Sequence, residues 1–271
     1  MASERSPAHP FAIEDSEVFP IHSRAGHIYD IYVKTPPGYN DPENSNHAYP
    51  IVYLTDGAYT FQVASGVARL PFNQGRFDKF IIVGLSGAKG QDAASSRRRD
   101  LTPWPDSDVE GITGGGPAYL DFIKTQAIPL VEQRYRADPK RRTLIGQSYG
   151  GLFTLWIALT EPTIFENYIA TSPSLWFGRE RLLRMAPTLL KQPSNLKSRI
   201  YIATGSREHP QPDGCDCEHD LAAAQTRYSE ILRRKHDPNL KLRDQIIAET
   251  YHETTFPVGL TLGLQWLFLK N

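Results

Sequence analysis

The sequence predicts an open, mostly parallel α/β sheet that begins with an antiparallel hairpin and carries helices on both faces. Nearly continuous apolar runs alternate with helical patterns along most of the chain, as expected for parallel strands that are buried on both faces. Ahead of them, residues 27–36 alternate between apolar and polar and follow the run 17–23 across a short turn. That pair of runs predicts the hairpin.

Five predicted parallel strands each end in Gly, Ser, Thr or Asp. The runs are 49–57, 79–87, 141–148, 167–174 and 198–206, with a further strand at 242–251. Because the carboxyl ends of parallel strands meet at one edge of a sheet, the loops that follow them are expected to form the functional site.

Four helices are predicted between and after these strands. They cover residues 117–135, 151–162, 220–235 and 258–269. Pro129 lies inside the first of them, so a kink or a break is expected there. Long loops are predicted at 86–116 and 205–219. We expect residues 1–14 to form a disordered or loosely attached tail and residues 15–271 to form a single domain.

Composition excludes some classes of function. The chain has 271 residues with 30 Lys+Arg and 30 Asp+Glu, and this balance argues against nucleic-acid binding. No run approaches the roughly 18 apolar residues of a membrane span, and the amino terminus is polar. The two cysteines, Cys215 and Cys217, lie too close together for a disulfide framework. A cytoplasmic location is therefore expected.

The stretch LIGQSYGGLF at 144–153 places Ser148 between two glycines, in the G-x-S-x-G spacing. A buried strand precedes it and a helix follows, which is the context of a nucleophile elbow. Gly146 and Gly150 are small, as the tight turn requires, and Gly151 lets the helix approach the sheet. The alternative is an ordinary turn in which the serine caps the helix.

A serine hydroxyl needs a base, which in this architecture lies late in the chain. His252 follows the last predicted strand and precedes the closing helix, so it is the expected base. The alternative is a surface or core histidine at a strand end.

The third member of a triad is expected just after the strand 198–206. Glu208 is our first candidate for this acid. Other carboxylates in the same loop remain open, namely Asp213, Asp216, Glu218 and Asp220.

An oxyanion hole needs two backbone N–H groups. One is expected from Tyr149, the residue after the nucleophile. The other is expected from Gly57 or Ala58, in the loop after the strand at 49–57. Asp56 and Gly57 could also form an ordinary turn.

Several stretches together resemble the putative-esterase family of α/β-hydrolases, which includes esterase D and the enterobactin-type siderophore esterases. The stretches are PPGY (36–39), YLTDG (53–57), RRRDLTP (97–103), GGGPAYLDFI (114–123), LIGQSYGGLF (144–153), SPSLW (172–176) and YHETTFP (251–257). They cover most of the chain from about residue 15 onward. The resemblance implies an α/β-hydrolase fold without a cofactor.

The resemblance also implies acyl transfer to water through a serine ester. Ser148 would attack the substrate carbonyl and His252 would relay the proton. The substrate would be a small-molecule ester such as a ferric siderophore, whose ester-linked iron chelator is cleaved. Some members manage with a Ser–His dyad, so the need for Glu208 stays open.

Other functions remain open beside this one. The first alternative is a general carboxylesterase or an S-formylglutathione hydrolase-like thioesterase that acts on small acyl substrates. A non-enzymatic binding protein on the same scaffold is the second, and it would lack a nucleophile or a base. The sequence indicates no oligomeric state.

In the family, the segments that contain Arg97, Arg99 and Trp176 lie beside the nucleophile. The resemblance therefore implies that either arginine binds substrate oxygens and that Trp176 forms a flat wall. The alternatives are an Arg99–Asp100 pair and a tryptophan packed in a cap.

A last cluster contains residue types that bind zinc, namely His209, Cys215, Cys217 and His219. Its Cys-x-Cys spacing is not the usual one. We therefore expect a polar loop and no metal site.

Overall fold

The computed structural model describes residues 10–190, 198–210 and 218–270, and these residues form one eight-stranded sheet. The strands are β1 (Ser16–His22), β2 (Ile28–Lys34), β3 (Tyr49–Leu54), β4 (Ile81–Ala88), β5 (Ala137–Gln147), β6 (Asn167–Thr171), β7 (Ser198–Gly205) and β8 (Leu240–Ile247). Their spatial order is β1-β2-β4-β3-β5-β6-β7-β8. The predicted α/β class is confirmed.

The sheet is antiparallel only at its amino-terminal side. Strand β2 pairs antiparallel with both β1 and β4, whereas β4, β3, β5, β6, β7 and β8 are parallel neighbours. The predicted hairpin is therefore present, and the loops after β3, β5, β6 and β7 all leave from the same edge of the sheet.

The helices are α1 (Gly57–Asn73), α2 (Ala93–Asp100), α3 (Gly116–Phe122), α4 (Ile128–Arg134), α5 (Tyr149–Thr160), α6 (Phe177–Leu189), α7 (Leu221–Arg234) and α8 (His252–Phe268). Apolar side chains of α1 and α8 pack in one core cluster, and those of α3, α5, α6 and α7 pack in the other. The two sets therefore cover opposite faces of the sheet.

Successive side chains of the central strands enter these two cores in turn. In β3, Ile51 and Tyr53 belong to one core, whereas Val52 and Leu54 belong to the other. All four are completely buried. A strand that is buried on both faces reads as an unbroken apolar run, which is why the sequence pattern located these strands.

The helical prediction for 117–135 corresponds to α3 and α4 joined by a π-helical turn at Ile123–Ala127. Pro129 lies in the first turn of α4. It has no N–H to offer the carbonyl of residue 125, and the wider turn accommodates this loss. The expected interruption therefore takes the form of a local widening of the helix.

Three helices were not predicted, and the closing helix starts earlier than predicted. The sequence reading took residues after 57 only as a loop and left 177–189 unassigned, whereas α1 and α6 occupy these positions. The predicted loop at 86–116 contains α2, and the closing helix begins at His252 rather than at 258. Gly57, Gly66 and Pro71 within α1 and Pro187 within α6 weaken the helical signal in sequence.

None of the helices within residues 10–190, 198–210 and 218–270 combines the length and the apolar character that a membrane crossing requires. The predicted tail at 1–14 falls mostly outside the described residues, which start at residue 10. The single domain predicted for the rest of the chain stays a prediction.

Candidate active site

Ser148 lies in the sharp turn between β5 and α5 with φ 58° and ψ −119°. A residue with a side chain rarely adopts this conformation, which costs on the order of 1–3 kcal/mol and persists only where the surrounding structure enforces it. Such strain at a strand–turn–helix serine is the geometry of a nucleophile elbow. The serine side chain makes no hydrogen bond to its own helix end, so it does not act as a helix cap.

The glycines around Ser148 are required by close contacts. A Cβ atom on Gly146 would lie 2.1 Å from the carbonyl oxygen of Gly150, and one on Gly150 would lie 2.3 Å from Thr55 Oγ1. On Gly151 a Cβ atom would lie 3.0 Å from the Cα atom of Pro173. The elbow therefore packs directly against the loops after β3 and β6, which brings three strand ends together.

His252 and Glu208 form a hydrogen-bonded pair, with 2.7 Å between His252 Nδ1 and Glu208 Oε2. Glu208 follows β7, and His252 is the first residue of α8. The Glu208 side chain is 1% exposed and that of His252 is 38% exposed. The histidine ring thus has one nitrogen fixed by a buried carboxylate while the rest of the ring reaches solvent.

Three further donors hold the other carboxylate oxygen of Glu208. Oε1 accepts hydrogen bonds from the Gly205 backbone N–H at 2.7 Å, from Ser172 Oγ at 2.7 Å and from Thr255 Oγ1 at 2.8 Å. Burial alone would raise the pKa of Glu208, but the bonds from His252, Ser172 and Gly205 outweigh it and hold the pKa below its usual value. The carboxylate is therefore ionised at neutral pH.

Gln147, which precedes Ser148, connects the two halves of the site. Its side-chain amide nitrogen donates to the His252 carbonyl at 2.6 Å. Because Gln147 ends β5 and His252 begins α8, this bond fixes the histidine backbone relative to the elbow.

Ser148 and His252 line the same open cleft, which has a volume of about 390 Å³. In this structure Ser148 Oγ lies 3.3 Å from Ser174 Oγ, and the Ser174 N–H donates to the Ser148 carbonyl at 3.0 Å. The other residues that line the cleft are Tyr149, Trp176, Glu208, Glu218, His219, Leu221 and Glu253.

The expected oxyanion donors lie at two helix ends. Tyr149 is the first residue of α5, and Gly57 and Ala58 are the first two residues of α1. Backbone N–H groups in a first helical turn have no partner within the helix. The contact of Gly150 with Thr55 places these two helix ends side by side.

Arg97 and Arg99 point to different parts of the molecule. Arg97 donates to both carboxylate oxygens of Asp56, at 2.8 and 3.1 Å, and its guanidinium lies 5.5 Å from the centre of the Tyr149 ring. Arg99 binds both oxygens of Asp100 and the side chain of Gln91. It lines a separate pocket near the hairpin, so the structure does not place it in the cleft of Ser148.

Trp176 lines the cleft and is partly buried. Its ring stacks on that of His219, with 4.4 Å between the centroids and an angle of 17° between the planes. The Tyr149 ring lies 6.0 Å away. This stack forms one wall of the cleft.

The other carboxylates considered for the third member of the triad do not hydrogen-bond to His252 where the structure describes them. Asp220 accepts a hydrogen bond from the Ala223 N–H and caps α7, and Glu218 is exposed at the cleft. Asp213 and Asp216 lie outside the described residues, as do Cys215 and Cys217. Across the described parts of the chain no group of His, Cys, Asp and Glu side chains could hold a metal ion.

Sequence reasoning missed four residues of this arrangement, namely Gln147, Ser172, Ser174 and Thr255. Gln147 sits inside the G-x-S-x-G pattern, and both serines belong to the SPSLW stretch. Their position beside the nucleophile was therefore accessible from the sequence, but their hydrogen-bond partners were not.

Comparisons with known proteins identify the family of this chain. The model of the family described as "Putative esterase" matches residues 23–244. The ferri-bacillibactin esterase BesA of Bacillus subtilis (strain 168) is 30% identical over 216 residues, which cover 73% of this chain and 72% of its own. The siderophore triacetylfusarinine C esterase of Aspergillus fumigatus is 32% identical over 231 residues, or 83% of this chain and 79% of its own.

Two solved structures match nearly the whole chain. The BES protein from Bacillus cereus has a TM-score of 0.83 at 25% identity and covers 98% of this chain and 99% of its own. The siderophore hydrolase EstB from Aspergillus nidulans has a TM-score of 0.82 at 25% identity, with 97% and 98% covered. The match of the family model, the two relatives and the strand order together show that the chain belongs to the putative-esterase family of α/β-hydrolases.

Proposed function

We propose that this protein is a serine esterase of the siderophore-esterase type, which hydrolyses the ester bonds of an iron chelator. The observation that carries the proposal is the elbow serine Ser148 in one cleft with the His252–Glu208 pair. A strained serine, a histidine base and a buried carboxylate that orients the histidine are the three parts of acyl-transfer catalysis.

The direction of proton transfer follows from the ionisation of Glu208. Because Glu208 is ionised, His252 Nδ1 must carry the proton that joins the two groups, which leaves Nε2 as an acceptor. Nε2 then takes the hydroxyl proton as Ser148 Oγ bonds to the ester carbonyl carbon. Collapse of the tetrahedral intermediate breaks the ester C–O bond, and the imidazolium gives its proton to the leaving alkoxide.

Deacylation repeats the same steps with water. His252 Nε2 takes a proton from water, the resulting hydroxide adds to the acyl carbon, and Ser148 Oγ leaves with the proton. In both steps the negative carbonyl oxygen would accept hydrogen bonds from the Tyr149 N–H and from Gly57 or Ala58. Two helix amino termini at this point add a favourable potential for that charge.

Two findings favour a siderophore over a small acyl ester as the substrate. Relatives that this chain matches over most of its length carry the names of bacillibactin, triacetylfusarinine C and enterobactin esterases. The cleft is also open at its mouth and has one aromatic wall, Trp176, as a bulky ester requires. We thus propose that the substrate is a small-molecule ester and, more specifically, a ferric siderophore. The cytoplasmic location stays a prediction.

Activity on p-nitrophenyl esters tests the mechanism. We expect Ser148→Ala and His252→Ala each to lower kcat by at least about a thousandfold, while circular dichroism shows that the fold is retained. Ser45→Ala and His47→Ala are the matched controls, because they precede β3 at the opposite edge of the sheet. Activity that survives Ser148→Ala would refute the proposal.

Incubation with ferric and iron-free ester siderophores, followed by mass spectrometry, tests the substrate class. We expect hydrolysed fragments that are absent with Ser148→Ala. If no chelator is cleaved while short acyl esters turn over rapidly, the small-acyl esterase or thioesterase becomes the better assignment.

A further inference from the structure

The described residues that line the cleft of Ser148 carry negative charge and no Lys or Arg. Besides the buried Glu208, two glutamates line it, Glu218 and Glu253, and both are exposed. Glu253 lies in the first turn of α8, where the helix dipole favours a carboxylate.

The amino-acid sequence extends this acidic character beyond the lining side chains. Between residues 208 and 220 there is no Lys or Arg. The same stretch contains the carboxylate residues Glu208, Asp213, Asp216, Glu218 and Asp220. Along this stretch of the sequence, the acidic residues are therefore not balanced by Lys or Arg.

Two arginines near the cleft form ion pairs, whereas Arg98, whose charge also acts on Tyr149, donates to the Glu110 carbonyl oxygen. Arg97 packs near Tyr149 but forms a bidentate ion pair with Asp56, and Arg207 pairs with Glu249 at 2.6 Å. Within residues 10–190, 198–210 and 218–270, neither Glu218 nor Glu253 takes part in an ion pair. Within the described residues, neither glutamate is therefore held in an ion pair by a guanidinium.

The stack of Trp176 on His219 positions the backbone next to one of these glutamates. His219 follows Glu218 directly, and its ring is held parallel to the indole at 4.4 Å between centroids. Because Trp176 belongs to the wall of the cleft, the stack holds the backbone of Glu218 at the same wall.

A second cleft contains arginines but is distinct from the first. It has a volume of about 760 Å³ and is lined by Arg179, Arg181 and Arg184. Its lining residues and those of the Ser148 cleft have no member in common. Arg179 is paired with Asp108, so only part of this charge could act on a ligand.

We propose that the ester chelator which this site accepts has a ferric complex without net negative charge, as a tris-hydroxamate complex does. Three hydroxamates, each with one negative charge, balance ferric iron, whereas three doubly charged catecholates leave a trianion. Two unpaired glutamates at the entrance repel a trianion and leave a neutral complex unaffected. The inference rests on the siderophore-esterase function proposed above and narrows its substrate class.

The repulsion by the two glutamates should mainly lower the rate at which an anionic substrate binds, and it should depend on the salt concentration. Both glutamates are exposed, so water and ions screen them over a Debye length of about 8 Å at physiological ionic strength. Charged clefts change the association rates of charged ligands by about tenfold or more at low salt. A neutral chelate should show no such dependence.

The experiment measures kcat/KM for a ferric tris-hydroxamate triester and a ferric tris-catecholate triester at low and high salt. The enzymes are wild type, Glu218→Gln, Glu253→Gln and the double variant. Glu43→Gln is the control, because it removes an exposed glutamate at the opposite edge of the sheet. p-Nitrophenyl butyrate and mono-p-nitrophenyl glutarate serve as a neutral and an anionic small ester.

We expect the wild type to prefer the hydroxamate, and the double variant to raise the catecholate-to-hydroxamate ratio of kcat/KM about tenfold at low salt. High salt should reduce this gain, and Glu43→Gln should not produce it. A wild-type preference for the catecholate, or an unchanged ratio in the double variant, would overturn the inference. The inference would also be overturned if the enzyme preferred the catecholate and Arg181→Gln abolished that preference. The trianion would then bind in the second cleft.

Failure of the siderophore function itself has a different signature. In that case neither triester is cleaved, while the small esters still turn over and Ser148→Ala abolishes their turnover. The ratio of glutarate to butyrate ester then still reports whether Glu218 and Glu253 select against negative charge.

Discussion

The histidine side of the cleft and its serine side are held in place by different kinds of contact. On the histidine side, Glu208 is buried and accepts four hydrogen bonds, including the one from His252. On the serine side, Ser148 Oγ has one 3.3 Å contact, and its position comes from a strained backbone and from glycines in close contact. Hydrogen bonds therefore fix the position of the histidine side, and close packing fixes the position of the serine side.

This difference indicates which substitutions each side of the cleft tolerates. A hydrogen-bond network fails when a donor or an acceptor is exchanged, even if the shape of the side chain is kept. A close-packed turn fails when a single methyl group is added, even if no polar group changes. Conservative substitutions on the two sides should therefore separate loss of chemistry from loss of folding.

The largest expected effect is that of Glu208→Gln on catalysis. The glutamine oxygen must replace Oε1, which accepts three hydrogen bonds, so the amide NH2 group faces His252 Nδ1. That arrangement forces the proton onto Nε2 and removes the base, so kcat should fall by about a thousandfold. Steady-state kinetics with a p-nitrophenyl ester measure it.

Asp220→Asn is the control for Glu208→Gln. It keeps a side-chain oxygen that can cap α7, since Asn and Asp are about equally good caps, so it should change the free energy of unfolding by no more than about 0.5 kcal/mol and leave kcat unchanged. A Glu208→Gln enzyme with nearly full kcat would show instead that a Ser–His dyad is sufficient.

Gly146→Ala should have the next largest effect, and it acts on folding. The new methyl group would overlap the Gly150 carbonyl oxygen, which is backbone and cannot move aside. We expect the free energy of unfolding to fall by at least about 3 kcal/mol, as measured by urea denaturation.

Gly66→Ala provides the matched control, because a Cβ atom there would meet nothing within 4 Å. Gly66 lies inside α1, so this change should stabilise the protein by about 0.5–1 kcal/mol. Equal effects at both glycines would contradict the steric account of the elbow.

Arg97→Gln and Arg99→Gln form the third test. Loss of Arg97 frees Asp56, whose left-handed backbone precedes the Gly57 and Ala58 donors, and kcat should fall about tenfold. Loss of Arg99 leaves the buried Asp100 without its ion-pair partner, although Tyr29 still donates to it, so stability should fall by about 2 kcal/mol with unchanged kinetics. A raised KM in Arg99→Gln would instead support the substrate contact implied by the family resemblance.

The smallest expected effect is a change in acid stability. Because folding lowers the pKa of Glu208, its ionised form adds stability above the unfolded pKa of about 4.3. This contribution is lost as the pH falls through the lower folded pKa. The stability difference between wild type and Glu208→Gln should therefore be constant near neutral pH and shrink below about pH 4. A difference that grows in acid would contradict it.

The parts of the site that lie within one local pattern were predictable from sequence. Ser148 has its strand, glycines and helix within ten residues, so the pattern and its context suffice. His252 and Glu208 were found from chain order, because each follows a recognisable strand. Their hydrogen-bonded pairing in the structure fits these roles, although the catalytic assignment itself stays a prediction until it is tested.

Features that depend on distant contacts were not predictable. Ser172 reaches Glu208 from the loop after β6, and Thr255 reaches it from α8. No pattern in sequence joins these separate elements. Arg97 and Arg99 lie two residues apart in α2, so they leave on different faces of the helix. The local sequence could not say which of them faces the elbow. The left-handed turn at residues 178–180 in α6 also has no signal, since only the first of these residues is a glycine.

The contact between Gly150 and Thr55 has a consequence for how such sequences diversify. Thr55 Oγ1 would lie 2.3 Å from a Cβ atom at position 150, and among the described residues this buried oxygen has no hydrogen-bond partner. A larger residue at 150 therefore becomes tolerable only where position 55 has already lost its hydroxyl. We therefore expect the two positions to tolerate substitutions only in combination, and a mutagenesis library should randomise them together.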